Sequence, residues 1–230
     1  MPDRQNLLLR LVRRSFVGLL LLAVLVLGAA GTLKFWQGWA FLAVTFVAPL
    51  GFGLYFYRHD PQLLARRMLT KEKVSAQKVV MLLWKLLSVP AYLLAGLDHR
   101  FGWSRQFLVP VPGWLTVLAL LVLPAGYLLF YWVMKANRFA ASIIQVESGQ
   151  TVIDTGPYQL VRHPMYLGFL ILWLAAPLAL GSFIAVPVFA LALPILAFRL
   201  LNEEKFLHCE LPGYAEYCRR TPRRLIPFVW

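Results

Sequence analysis

The segment from Gly156 to Gly168 reads GPYQLVRHPMYLG, and a long apolar run separates it from a second polar segment, NEEKFL, that begins at Asn202. Arg162, His163, Glu203 and Glu204 are groups that can hold a charged small molecule, and Tyr158, Tyr166, Tyr214 and Tyr217 supply aromatic faces nearby. A cation grips a carboxylate, a carboxylate takes an ammonium or a ribose hydroxyl, and an aromatic face attracts a positive centre. S-adenosylmethionine presents all three of these features. Pro164 pushes His163 out of helical geometry at the entry to the apolar run, and Gly156-Pro157 makes a turn just before Tyr158.

Taken singly, each residue has a plainer explanation: Arg162 as a topogenic charge, His163 as a helix N-terminal residue, Glu203 and Glu204 as the solvated start of a tail helix. Their spacing and the apolar hairpin between them favour a site. On the second arm, Arg199 and Glu203 are four residues apart and face the same side of a helix. Arg199 is therefore expected to pair with Glu203, leaving Glu204, roughly 100° round the helix, for a ligand.

The elements that position these groups are membrane spans. Hydrophobic residues make up 60% of the chain, charged residues 14%, and the mean hydropathy is +0.67, a composition outside the soluble range. A crossing takes roughly 20 apolar residues. The candidates are 15–33, 35–57, 79–97, 114–134, 165–180 and 182–200, so the expected fold is an all-α integral membrane bundle of about six helices with a C-terminal hairpin and a tail. The last two share only the stretch from Met165 to Leu200, in which Gly181-Ser182 supplies the turn and Pro177, Pro187 and Pro194 imply bends. Residues 1–134 form a four-span region facing the substrate, and 135–230 a module that carries the chemistry.

Nineteen of the 23 Lys and Arg residues lie in the N-terminus, 58–78, 135–164 and the stretch from Arg199 onward. Basic segments stay in the cytoplasm, so both termini and the site are expected there, and the net charge of +13 reads as topology plus attraction to anionic headgroups. Stacking aromatics for a nucleic-acid surface are missing outside the bilayer. The first span is read as an uncleaved helix, with a signal peptide as the alternative. Cys209 and Cys218 fall on the reducing side, where no disulfide is expected, and their spacing fits no zinc signature. Segment 58–78, with Leu63, Leu64, Met68 and Leu69 among basic residues, is either a helix lying on the headgroups or a solvated basic loop. On the opposite face, Asp98, His99 and Arg100 beside Trp103 read as an interfacial belt with a local ion pair rather than a metal site.

The motifs GPYQLVRHPMYLG, NEEKFLHCELPGYAEYCRR and RLIP together resemble the C-terminal module of the isoprenylcysteine carboxyl methyltransferase and phospholipid methyltransferase superfamily. LDHRFGWS and NRFAASIIQVESGQTVIDTGPY look like its bacterial members, so the likeness covers roughly 95–230. The resemblance implies S-adenosylmethionine as cofactor, held at the cytoplasmic face by Tyr158, Arg162, His163, Tyr166, Gly168 and Glu204. It places Arg199 and Glu203 nearest the transferred methyl, and implies a lipophilic or lipidated acceptor that enters from the bilayer.

Methyl transfer is an in-line displacement, so the protein mainly aligns reactants and removes water. A carboxylate acceptor needs no base and could be held by Arg199. A thiol or amine must lose a proton, which Glu203 or His163 could take. No G-x-G-x-x-G fingerprint of a soluble methyltransferase occurs. Two other classes remain: an NADPH-dependent sterol-type reductase and a non-catalytic membrane protein. The reductases resemble R-H-x-N-Y-x-G-D, where this chain has Pro164, Met165 and, in the place of the acid, Phe169.

Overall fold

A computed structural model describes residues 4–68, 75–139 and 149–230. Ten α-helices account for most of them: α1 (Arg4–Ala23, continued by a π-helical turn over Val24–Gly28), α2 (Trp36–His59), α3 (Pro61–Arg67), α4 (Ser75–Phe101), α5 (Trp103–Phe107), α6 (Gly113–Ala136), α7 (Pro164–Ala179), α8 (Val186–Ala190), α9 (Ala192–Glu210) and α10 (Tyr214–Arg220). Among the described residues there is no strand. The fold is an all-α membrane bundle.

Five helical stretches are long and apolar enough to cross a bilayer: Arg4–Gly28, Trp36–His59, Gln77–Phe101, Gly113–Ala136 and Val186–Glu210. The sixth expected span is the shorter α7, whose 16 residues rise only about 24 Å. Pro177 ends its regular ladder, and Gly181, at a φ of 70° that an L side chain resists, turns the chain back. Large apolar side chains such as Leu20, Val47, Leu86, Leu121 and Leu128 point outward, as lipid-facing residues must. The interior is filled by Phe41, Leu123, Trp173 and Phe189 with small Ala91, Ala95, Ala176 and Ala179 between them.

Contacts define two ends of the bundle. At one end, the α3 residues Leu63 and Leu64 pack on Leu7, Leu11 and Phe56, Arg14 donates to the Met68 carbonyl at 2.7 Å, and Arg66 donates to that of Arg138 at 3.0 Å. Asp60 caps α3 by accepting from the Leu63 amide at 3.0 Å. Within segment 58–78, α3 is thus a short helix with Leu63 and Leu64 turned onto α1 and α2 rather than a plain solvated loop; Leu69 lies outside the described residues.

The other end is tied by Asp98. It is buried and accepts from the Ser104 amide at 2.7 Å, from the Ser104 hydroxyl and from the Ser182 hydroxyl. Ser104 in turn accepts from the amides of Phe183 and Ile184 at 3.0 and 3.2 Å. The expected local ion pair is replaced by a hydroxyl and amide network, because the hairpin turn brings its own uncapped N–H groups to this point. His99 instead stacks on Phe35, and Arg100 lies over the Phe101 ring. The hairpin therefore reaches the same far end as α4, although its first arm is short and its second is interrupted at Leu191 between α8 and α9.

Candidate functional site

Two helix termini and one extended segment converge at the end opposite Asp98. Thr151–Thr155 is extended, and a 3-10 turn over Gly156–Gln159 presents Tyr158. Val161–His163 then runs beside the C-terminal segment: the Arg162 amide donates to the Arg223 carbonyl and the His163 amide to that of Arg224, both at 2.9 Å. Pro164 opens α7, as a proline without an N–H is suited to do.

Glu204 is the hub beneath this crossing. It is buried and accepts from Arg162 Nε at 2.7 Å and Arg224 Nε at 2.8 Å, with His163 Nε2 at 3.3 Å. Arg162 Nη1 donates to the Thr221 and Pro222 carbonyls at 3.1 and 3.2 Å. Burial alone would lower the pKa of Arg162, but the hydrogen bond and charge of Glu204 outweigh it and raise it. This reverses the expected division of labour between the two carboxylates. Glu204 is fully engaged in holding the tail, whereas Glu203 faces the cavity.

That cavity has a volume of about 290 Å³ and is lined by Tyr158, Arg162, His163, Tyr166, Arg199 and Glu203 among others. Six of the eight residues singled out in the sequence are thereby brought to one wall. Glu204 stands behind it. Gly168 lies elsewhere, against α6: a Cβ there would meet Phe130 at 3.1 Å and the Gly126 carbonyl at 3.2 Å, so its role is close helix packing.

Arg199 reaches Glu203 through a phenol. Arg199 Nε donates to the Tyr166 hydroxyl at 2.9 Å, and Tyr166 donates a short hydrogen bond to Glu203. Arg199 Nη1 also donates to Gln77 Oε1 at 3.1 Å. Gln77, on α4, is fully buried, and because its oxygen must face the guanidinium, its Nε2 is the atom left without a partner. Tyr158 accepts from Asn137 Nδ2 at 2.9 Å, which leaves its own O–H for the cavity; burial, opposed by that hydrogen bond, pushes its pKa up to about 12. Tyr158 is therefore a neutral donor and no base near neutral pH. The Tyr214 hydroxyl, also on the cavity wall, is buried with no hydrogen-bond partner among the described residues, and Arg67 of α3 adds a third arginine, whose pKa burial lowers.

Gln77, Arg67, Asn137 and Arg224 were missed in the sequence. Gln77 and Arg67 lie far from the motif, and only three-dimensional packing brings them to it. Arg224 had a signal: two consecutive arginines that follow Pro222 at the end of the tail. Among the described residues no three His, Cys, Asp or Glu side chains gather as a metal site.

Residues 117–209 match the isoprenylcysteine carboxyl methyltransferase family. A cobalt-zinc-cadmium resistance protein of Cupriavidus metallidurans is 32% identical over 103 residues, which cover 44% of this chain and 48% of that protein. A delta(14)-sterol reductase of Mus musculus is 34% identical over 94 residues, 38% of this chain and 22% of the reductase. The alignments thus span about half of one relative and about a fifth of the other.

Proposed function

We propose, from the match of residues 117–209 to the isoprenylcysteine carboxyl methyltransferase family, that the chain transfers a methyl group from S-adenosylmethionine to a lipophilic acceptor. The observation that carries the reading is a single cavity in which neutral phenolic donors, a histidine, three arginines and a carboxylate face one another beside an apolar wall of Trp84, Phe169 and Leu196. The Tyr214 hydroxyl, without a partner among the described residues, and the Tyr158 O–H suit a polar ligand.

Tyr158, His163, Tyr214 and the cavity-facing part of Arg162 would hold the cofactor. When bound, it supplies a methyl group activated by a sulfonium. Glu203 offers a carboxylate to an ammonium or hydroxyl, and Tyr166 keeps that carboxylate turned toward the cavity. Arg199, fixed by Gln77 on one side and Tyr166 on the other, presents a planar fork to the acceptor. An isoprenylcysteine-type carboxylate is the acceptor that this fork suits best, and it needs no base. With a thiol or a phospholipid amine instead, Glu203 would be the group to take the proton.

Sterol-type reduction is the second reading, supported by the mammalian reductase relative. Against it stand Met165 at the place of the motif's asparagine and Phe169 at the place of its acid. In the same proposal the site faces the cytoplasm, residues 135–230 form the cofactor module, and 1–134 set acceptor preference. Arg67, Gln77, Trp84 and Phe130 are points where the first region enters the site.

The direct test incubates the purified protein in vesicles with methyl-tritiated S-adenosylmethionine and, separately, a farnesylcysteine, a long-chain thiol and phosphatidylethanolamine. Label should partition into the organic phase with one of them. No transfer to any acceptor, with NADPH-dependent reduction of a sterol double bond instead, would select the second reading.

A further inference from the structure

Residues 222–230 do more than brace Arg162, His163 and Glu204. After Arg224 engages Glu204, the chain turns along the hairpin: Leu225 is buried with Leu170, Leu196 and Leu200, and Trp230 packs on the same cluster. Leu196 lies eight residues before Glu204 on α9, about 12 Å deeper along a helix that is itself a membrane-crossing segment. The tip of the tail thus descends from the polar site to the level of the bilayer.

Its backbone is prepared for that level. The amides of Leu225 and Ile226 both donate to the Trp230 carbonyl, at 2.7 and 2.9 Å, and those of Val229 and Trp230 donate to the Ile226 carbonyl at 3.1 Å. Pro227 has no N–H. Apart from Phe228, every amide between 225 and 230 thus has an acceptor within the segment, which lowers the cost of entering apolar surroundings.

The side chains left outside are apolar. Phe228 is 88% exposed, Val229 72% and Ile226 39%. Phe228 is held at a φ of 65°, the one positive value among the described non-glycine residues, and a bulky residue adopts such a conformation only when its surroundings enforce it. Exposed Arg219 and Arg223 precede this tip, and Arg224 stacks over Trp230 at 5.7 Å. Basic residues above an apolar tip, with a tryptophan between them, match the charge and depth profile of an anionic membrane surface.

We propose that residues 225–230 form a wedge whose Phe228, Val229 and Ile226 insert into the headgroup and upper acyl region of the bilayer. Lipid engagement then holds the tail against Arg162 and His163, so the placement of these two cavity-lining residues depends on the membrane. The wedge is independent of which group is transferred in the site.

The test replaces Cys209 and Cys218 by Ser and places a bimane probe on Phe228→Cys or, as a control, on Glu216→Cys in the exposed face of α10. The full chain is reconstituted in vesicles of equal parts phosphatidylcholine and phosphatidylglycerol. Lipids carrying a nitroxide near the headgroup should quench the probe at 228 severalfold more than the probe at 216, and iodide should do the reverse. Equal iodide quenching at both positions overturns insertion. Protection of 228 from iodide and from the lipid nitroxide also overturns it, because a protein partner would then cover the tip. In the same vesicles, Phe228→Ser with Val229→Ser should speed tryptic cleavage after Arg223 and Arg224 severalfold at unchanged helix content. Unchanged cleavage would show that the wedge does not secure the tail.

Discussion

Replacing Glu204 by Gln keeps the volume of the side chain but removes the one negative charge on which Arg162, His163 and Arg224 converge. Removal of one partner from a buried ion pair costs roughly 3–5 kcal/mol. The lower end applies here, since the glutamine carbonyl still accepts one hydrogen bond, and Arg224, with a side chain 36% exposed, recovers part of its loss from water. The backbone bonds from Arg162 and His163 to the tail and the burial of Leu225 survive the change. A loss of about 3 kcal/mol confined to tail docking is about a hundredfold rise in the open population. Under conditions where reclosing outpaces cleavage, proteolysis tracks that population. Limited trypsin digestion of the reconstituted protein, read at the bonds after Arg219, Arg220, Arg223 and Arg224, should therefore accelerate by about two orders of magnitude. Digestion within about threefold of the unsubstituted rate would refute the reasoning, because Glu204 would not then be what holds the tail.

Three further outcomes are expected. Tyr166→Phe breaks the path from Arg199 to Glu203 and should lower turnover by about tenfold or more while cofactor affinity changes little; a rise in the cofactor dissociation constant with normal turnover would move Tyr166 to the cofactor. Gln77→Leu frees one side of Arg199 and should raise the acceptor KM in steady-state kinetics without altering cofactor binding, whereas unchanged kinetics would reduce Gln77 to a packing residue. Asp98→Ala leaves Ser104 and Ser182 without their shared acceptor and should destabilise the fold by about 2–3 kcal/mol in thermal unfolding; cofactor affinity should stay unchanged at moderate temperature.

The bundle itself was legible because apolar runs of membrane length, set between basic segments, leave few other folds open. α7 fell short as a full span because Pro177 and Gly181 end it early, and a count of apolar residues does not register where the hydrogen-bond ladder stops. The clustering of Arg162, His163, Tyr166, Arg199 and Glu203 was legible from the hairpin, which returns the chain to the end at which it left. The partition between Glu203 and Glu204 was not. It depends on Arg224 arriving from the tail and on the Tyr166 hydroxyl standing between Arg199 and Glu203, neither of which follows from helical spacing. Asp98 was noticed for its charged neighbours, yet its partners are hydroxyls that lie six and 84 positions away along the chain.

The central claim is that this cavity holds S-adenosylmethionine. Calorimetric titration of the purified protein in detergent with S-adenosylmethionine, its demethylated product and NADPH, each separately, tests it most directly. Saturable binding of the first two, lost in Tyr158→Phe with Tyr214→Phe and retained in Arg199→Lys, is the expected result. Saturable binding of NADPH with none of S-adenosylmethionine would contradict the account.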